Sequence, residues 1–511
     1  MSYTDLLRVT LPETVLEVMA LLVLLVDLGP LRKSSARMRI ATASTIGILG
    51  CGIALMMIPF QAQGGLRAAN DQILLAAGGS SAIAQIAILT LTVLTLLLLF
   101  DETFTRHVGE FVAITLMSAT GGMLIAAAQD LLVIFIGLEL LSLGLYILTA
   151  FAKKSAKSAE GAIKYYLFGG MSAAFLLFGF SYLYGITGST NLHRIIQATY
   201  ESNAIQATPL LIVALVMIAA GLGFKIAAVP FHLWAPDAYE GAPAPAAAFI
   251  ASASKVASFA LLISIGSAAL HVFGDAHVVH FALVVENGRL PRMLGFGAPW
   301  SFLLTILAVA SMVLGNLAAL AQTSVRRLLA YSAIAHAGYM LLALAYFSRT
   351  PVSAQAVLYY IVTYGLTAVG AFGIVSIVER VMGSDQMDAF AGLHRRNPLL
   401  AGIMLVLFLS LAGIPPLVGF WAKFNLFAAV LGVGKGSVPF GLVALAIAMS
   451  AVSLYYYLQV LKRVYVAPAL EEGSITVSPV TLSALLVVTL WVVMAGVFPS
   501  ILQDWMQQFY S

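Results

Sequence analysis

Long apolar segments separated by short polar connections run through the whole chain. Fourteen of them approach the roughly 20 residues that a helix needs to cross a bilayer. We number them as spans 1 to 14, at residues 11–31, 40–60, 78–100, 108–128, 131–152, 161–185, 208–229, 244–271, 300–321, 327–347, 354–382, 399–430, 438–466 and 477–500. The pattern predicts an all-α polytopic membrane protein with about fourteen transmembrane helices and no soluble domain beyond its loops.

Prolines interrupt two of these spans. Pro230 ends span 7, and Pro415 and Pro416 lie inside span 12. Because proline has no N–H, each leaves the carbonyl four residues earlier without its helical donor. Spans 7 and 12 are five apart and run in opposite directions. This predicts an inverted repeat of two five-helix units, spans 4–8 and spans 9–13, with broken helices in matching places.

The repeat divides the chain into five predicted parts. Spans 1–3 form an N-terminal unit, two five-helix repeats follow with an extracytoplasmic connection between them, and span 14 closes the chain. The boundaries are 1–107 for the N-terminal unit, 108–272 for the first repeat, 273–299 for the connection, 300–466 for the second repeat and 467–511 for the C-terminal helix.

Composition agrees with a membrane protein. The 511 residues are 61% hydrophobic and 9% charged, whereas soluble domains carry about 25% charge. The net charge of +4 comes without a basic cluster that contains aromatics, so we expect no nucleic-acid partner. The single cysteine, Cys51, allows neither a disulfide nor a thiolate metal cluster within the chain.

Lysine and arginine are unequally divided between the two sides of the membrane. If the N-terminus lies outside, 16 of the 26 fall in inside segments, 7 in outside segments and 3 at membrane depth. Basic residues favour the cytoplasmic side. Both termini are therefore predicted to lie outside the cytoplasm.

Five titratable residues lie within apolar sequence: Glu139 in span 5, Lys225 in span 7, Lys255 in span 8, His336 in span 10 and Lys423 in span 12. A charge at this depth costs roughly 2.5–3.5 kcal/mol on insertion scales. Burial disfavours a charged lysine and a nearby carboxylate favours it, so a Glu–Lys pair whose separation changes can take up and release a proton. Arginine stays protonated, and a histidine can pass a proton between its ring nitrogens. The set predicts a proton relay.

Structural interpretations stand beside this one. Glu139 could lock two helices through an ion pair, Lys255 could extend to the membrane surface, and His336 could hydrogen-bond a carbonyl. His232, in the connection after the first break, is either a helix cap or an accessory proton group. We expect no metal site.

Three stretches carry a family resemblance: GFKIAAVPFHLWAPDAYEGAP followed by Lys255, RRLLAYSAIAHAGYML, and GIPPLVGFWAKF. They are similar to motifs of the antiporter-like membrane subunits of respiratory complex I, an NADH-quinone oxidoreductase. The WAPDAYEGAP form most resembles subunit N, which is subunit 2 in mitochondria. The resemblance covers nearly the whole chain.

The resemblance implies that protons move from the cytoplasm to the periplasm, driven by quinone reduction elsewhere in the complex. It implies that Glu139 and Lys225 form a pair, that Lys255 is a central connecting lysine, that His336 belongs to a central polar axis, and that Lys423 leads to the exit. Relatives of the other two antiporter-like types carry a histidine in span 11, where this chain has Tyr364. A tyrosine could bridge the lysines of spans 8 and 12 but stores a proton poorly near pH 7.

The same resemblance implies that this chain holds no cofactor, with NADH, FMN, iron-sulfur clusters and quinone on other subunits. The implied partners are an antiporter-like neighbour, small subunits of the K, J and A types, and lipids, in a bacterial inner (plasma) membrane. Three alternatives stay open: a subunit of a multisubunit cation/proton antiporter, a ferredoxin- or hydrogenase-linked relative, and a passive scaffold.

Overall fold

The structure is a computed structural model, which describes residues 7–61, 66–67, 73–102, 104–201, 208–273, 297–347, 352–433, 436–469 and 473–509. Among these residues, twelve helices are long and apolar enough to cross a membrane. They correspond to spans 2–11, 13 and 14. Their bounds are Ala36–Phe60, Gly79–Asp101, Val108–Ala127, Leu131–Thr149, Ala156–Thr187, Pro209–Ile226, Ala244–Ala268, Pro299–Leu320, Val325–Ala345, Val352–Met382, Ser437–Tyr465 and Pro479–Val497.

The two remaining predicted spans are also helical. Span 1 is the 18-residue helix Leu11–Leu28, which carries three carboxylates. Span 12 is divided into Pro398–Ala412 and Val418–Val433. The prediction of an all-α polytopic membrane protein is confirmed.

A few shorter elements complete the described chain. Residues Leu66–Arg67 and Ile73–Leu75 form a small antiparallel hairpin that the sequence did not predict, and Leu75 also bridges to Ala128 at the end of span 4. The other short elements are the helices Leu192–Glu201, Trp234–Gly241, Leu393–Arg396 and Pro499–Gln507 and the 3-10 turns Ile58–Phe60, Leu99–Asp101 and Met387–Phe390. The predicted connection 273–299 lies almost entirely outside the described residues, as do both chain ends.

The centre of the molecule is made by spans 8, 10 and 11, whose most apolar windows are 94%, 94% and 100% buried. Spans 6 and 13 bury far less and expose large apolar side chains. Such surfaces suit lipid or partner helices. The titratable residues of spans 8 and 10 therefore lie in the protein interior.

Span 8 has an interruption that the sequence did not predict. It consists of the helices Ala244–Ala251 and Ala253–Phe273, separated at Ser252. The Ser252 hydroxyl donates to the Ala248 carbonyl at 2.6 Å, a back-bond that commonly bends helices. The interruption places Lys255 in the first turn of the second helix.

Candidate functional site

Lys225 lies in the last turn of span 7 and is held by span 5. Its Nζ donates to the Ser142 hydroxyl at 2.6 Å, and the Ser142 hydroxyl donates to the Leu138 carbonyl of its own helix. The Phe224 ring centroid lies 5.5 Å from the same Nζ. The buried ammonium thus has one hydroxyl and one aromatic face around it.

Glu139 lies one turn before Ser142, so the two share a face of span 5. The carboxylate is close enough to Lys225 for their charges to interact. No ion pair joins these two described residues, and Ser142 takes the hydrogen bond from the lysine. Glu139 is half-buried and borders an exposed apolar face that includes Ile136 and Leu143.

Lys255 caps the carbonyl that the first proline break frees. Helix Thr208–Ile226 ends four residues before Pro230, which cannot donate to the Ile226 carbonyl. The Lys255 Nζ donates to that carbonyl and lies 5.7 Å from the Trp234 ring centroid. With 2% of its surface exposed, Lys255 does not extend to the membrane surface, so the alternative that it snorkels is wrong.

Lys423 caps the carbonyl that the second proline break frees. Its Nζ donates to the Ala412 carbonyl at 2.7 Å, the carbonyl that loses its donor to Pro416. It also donates to the Ser450 hydroxyl of span 13 at 2.8 Å and lies 5.6 Å from the Tyr339 ring centroid. A lysine therefore closes each helix break.

His336 is buried in span 10, in the second half. Its Nδ1 shares a 2.7 Å hydrogen bond with the Tyr360 hydroxyl, and its charge interacts with that of Lys423. Its Nε2 is buried without a hydrogen-bond partner. The ring also borders a small cavity beside the second break, lined by His336, Tyr360, Thr363, Tyr364, Thr367, Ser410, Leu411, Gly419 and Ala422.

The two candidate accessory residues have different surroundings. Tyr364 packs its ring 4.8 Å from that of His336, centroid to centroid, and lines the small cavity. His232 is buried in the connection after the first break, where its Nδ1 has no hydrogen-bond partner. Its ring centroid lies 6.4 Å from that of Tyr331, so it packs against span 10 of the second half.

Sequence reasoning missed the hydroxyl partners of the relay. Ser142 had a usable signal, because it lies one turn from the glutamate in an otherwise apolar helix. Ser450 and Tyr360 had none, since serines and tyrosines are common in these spans. The structure further joins Asn316 to the hydroxyls of Tyr339 at 3.0 Å and Tyr456 at 3.1 Å, which places a polar cluster next to the second break.

An ion-pair cluster lies between spans 7 and 8, on helix Trp234–Gly241. Asp237 accepts from Lys164 at 2.6 Å and from Arg327 at 2.5 Å. Glu240 accepts from Lys157 at 2.7 Å and from Arg327 at 3.0 Å. Burial alone would raise the pKa of both carboxyls, but these hydrogen bonds and charges outweigh it and lower each pKa.

The described part of the chain contains no group of three His, Cys, Asp or Glu side chains placed to hold a metal ion. The site thus consists of lysines, one histidine, one carboxylate and their hydroxyl and carbonyl partners. Such groups can bind, hold and pass protons.

The sequence matches the family described as "NADH:quinone oxidoreductase/Mrp antiporter, TM" over residues 128–288 and 276–450. It is 46% identical to NADH-quinone oxidoreductase subunit N 2 of Acidobacterium capsulatum over 518 residues, which cover 99% of each chain. The chain belongs to the subunit N family of NADH-quinone oxidoreductase. Subunit N 1 of Roseiflexus castenholzii is a further relative, at 41% identity over 82% of this chain and 77% of that one.

Solved structures of membrane complexes share this fold. A chain of respiratory complex I from Thermus thermophilus superimposes with a TM-score of 0.76 and 32% identity, covering 96% of this chain and 98% of that one. A chain of the Mrp complex from Dietzia shares the fold, with a TM-score of 0.78 at 20% identity over 98% of this chain and 51% of that one. The resemblance to antiporter-like complex I subunits, and to subunit N among them, is confirmed.

Proposed function

We propose that this subunit moves protons from the cytoplasm to the periplasm within complex I, along Glu139, Lys225, Lys255, His336 and Lys423. The observation that carries the proposal is the capping of each proline-freed carbonyl by a buried lysine. A protonated lysine offers three donors, and its positive charge strengthens the hydrogen bond to the carbonyl. Loss of the proton weakens that bond, so proton occupancy and the geometry of the break are coupled.

The first step of the path runs from Glu139 to Lys225. The shared partner Ser142 lets the lysine respond to the carboxylate without a direct ion pair. A carboxylate at membrane depth beside an exposed apolar helix face is costly in lipid. This favours a neighbouring antiporter-like subunit over that face, where its charges would act on Glu139 and through it on Lys225.

The link between Lys255 and Lys423 runs past His336. Its Nε2 has no hydrogen-bond partner, and its side chain lines the small cavity at the second break. A water molecule with two or more polar partners can occupy such a cavity and carry a proton. Tyr360 fixes the ring through Nδ1, while Tyr364 contributes a wall of the cavity.

Quinone reduction on other subunits drives the path, as the resemblance to complex I implies. NADH, FMN, iron-sulfur clusters and quinone belong to those subunits. The partners are the antiporter-like neighbour, the small K-, J- and A-type subunits and lipids. The subunit lies in the bacterial inner membrane with both termini in the periplasm, which the distribution of basic residues supports.

Replacement of Lys225 tests the path. We expect Lys225→Ala to lower proton uptake into inverted membrane vesicles during NADH oxidation, while the complex still assembles on a native gel. The control is Lys462→Ala, which changes an exposed lysine at the end of span 13. Normal pumping in Lys225→Ala would remove this lysine from the path.

A second experiment tests which reaction drives proton transport. We expect material that co-purifies with the tagged subunit to oxidise NADH with quinone. A stable assembly that lacks this activity but exchanges sodium for protons would favour a cation/proton antiporter. Electron input from ferredoxin or hydrogen would favour the other relatives.

A further inference from the structure

A buried carboxyl and a buried amide meet in the N-terminal unit, outside the proposed proton path. Glu13, in the first turn of span 1, has 5% of its surface exposed, and Gln85 of span 3 has 1%. The Gln85 Nε2 donates to Glu13 Oε1 at 2.8 Å. The other oxygen of each side chain, Glu13 Oε2 and Gln85 Oε1, is buried without a hydrogen-bond partner.

An ionised Glu13 fits this site poorly. None of the described lysine, arginine or histidine side chains pairs with it, and a buried carboxylate without a counter-ion is strongly disfavoured. Both oxygens without partners are acceptors, so the site has more acceptors than donors. A single proton on Glu13 Oε2 removes the charge and adds a donor. The acid and the amide can then close a two-bond ring, N–H to Oε1 and O–H to the amide oxygen.

The surrounding charges do not offer an alternative counter-ion. Glu17, one turn on, is itself acidic and half-buried. The Asp27–Arg39 pair lies fourteen residues further along span 1, about 21 Å at the helical rise. The acidic and basic side chains that the described helices of spans 2, 3 and 4 contribute lie toward that same end, namely Arg37, Arg39, Asp101 and Glu110. Span 2 also carries the buried thiol of Cys51.

The carboxyl–amide pair has no residue in common with the lysine path. Gly122 of span 4 packs against Ile88 of span 3 and Ala257 of span 8, and Ala257 follows Lys255 by two residues. These contacts are made by carbon atoms.

We propose that Glu13 and Gln85 form a proton-binding site in which Glu13 is held as a neutral carboxylic acid. The ligand is a proton, bound between the carboxyl and the amide of spans 1 and 3. The site joins two helices of the N-terminal unit and shares no residue with the proposed path.

Infrared difference spectroscopy of the intact complex tests the site. The spectrum of the wild type minus that of Glu13→Gln isolates the vibrations of one carboxyl. At neutral pH we expect the C=O stretch of a protonated acid, with a shift in heavy water. Carboxylate stretches in its place would overturn the proposal. Glu17→Gln is the matched control on the same helix, and its difference spectrum must lack the Glu13 band.

Two further measurements complete the test. The Glu13 band must be the same in sodium-free and sodium-containing buffer, and its replacement by carboxylate stretches on adding sodium would assign the site to a metal cation instead. Gln85→Leu removes the amide, so the acid band must move to higher frequency. This variant decides the question if Glu13→Gln does not assemble, because an unmoved band would show that Gln85 does not bind the acid.

Discussion

In the break of span 7 the freed Ile226 carbonyl is followed by Ala227, whose φ is +59°, and Pro230 comes three residues later. In the break of span 12 the Ala412 carbonyl is followed by Gly413, whose φ is +89°, and Pro416 again comes three residues later. The two breaks thus repeat one backbone pattern residue for residue. This supports the predicted inverted repeat, which stays a prediction for the chain as a whole.

The lysines that close the two breaks come from different places. Lys255 lies on the next span, 29 residues after the carbonyl it binds. Lys423 lies in the second half of the broken span, 11 residues after its carbonyl. The first break is therefore closed by packing between two spans and the second by its own span. In both breaks a lysine Nζ donates to the freed carbonyl, but the two lysines come from different positions in the repeat.

The largest effect is expected from replacing either capping lysine with methionine. Lys255→Met and Lys423→Met each leave a buried carbonyl without a donor, which costs about 1–3 kcal/mol, and each removes a proton carrier. We expect proton pumping to be lost in both. Native-gel assembly should also suffer in both, because Lys255 joins spans 7 and 8 and Lys423 joins spans 12 and 13.

Arginine at the same positions separates the two roles. Lys255→Arg and Lys423→Arg keep a donor for the carbonyl but cannot release a proton. We expect assembly to approach that of the wild type while pumping stays lost. Pumping in the arginine variants would show that the lysines act only as structural caps, the scaffold interpretation.

Next in size is the loss of a hydroxyl partner. Ser142 is the hydrogen-bond acceptor of Lys225, whereas Lys423 keeps the Ala412 carbonyl when Ser450 is removed. A hydrogen bond to a charged group is worth about 1.5–3 kcal/mol, and 1.4 kcal/mol corresponds to roughly tenfold in rate. We expect Ser142→Ala to slow pumping by about that factor and Ser450→Ala to slow it less. Equal effects in the two vesicle assays would contradict this ranking.

Ala227 and Gly413 have positive φ angles, and exchanging the residue type at these two positions should change stability by less than the substitutions above. Gly413→Ala places a Cβ 2.9 Å from the Lys423 Cδ in a backbone conformation that costs an L-residue roughly 1–2 kcal/mol. Ala227→Gly relieves the same strain but loosens the unfolded chain, so it should stay within about 1 kcal/mol of the wild type. Thermal melting of the purified complex compares them. A stabilising Gly413→Ala would be the contrary result.

Much of this molecule follows from its sequence. Fourteen apolar spans and two proline breaks were predicted, and the structure contains them, because span length and the missing N–H of proline are local properties. The five titratable residues could be found because charges at membrane depth are rare. The partners of Lys255 and Lys423 could not be found, since a main-chain carbonyl has no sequence signal. The interruption of span 8 at Ser252 could not be predicted for a similar reason, because serine is also common in straight helices.

The smallest effect concerns the ion-pair cluster that follows the first of the two breaks. The lowered pKa values of Asp237 and Glu240 mean that their ion pairs stabilise the folded chain above the ordinary values of 3.8 and 4.5. This contribution is lost as the pH falls through the lower folded-state values. Partly exposed pairs contribute about 0.2–1 kcal/mol each. Asp237→Asn should therefore weaken helix Trp234–Gly241 slightly at pH 7, and the difference from the wild type should shrink below about pH 4.

Hydrogen exchange of helix Trp234–Gly241, corrected for the intrinsic pH dependence of exchange, measures this difference. The control is Asp388→Asn, because Asp388 pairs with Arg463 at 3.4 Å while both side chains are more than half exposed, so its loss should leave exchange at the breaks unchanged. High salt should reduce the Asp237→Asn effect by screening. If Asp237→Asn changed exchange equally at the second break, at Pro398–Ala412, the two breaks would be coupled and the cluster would act on both.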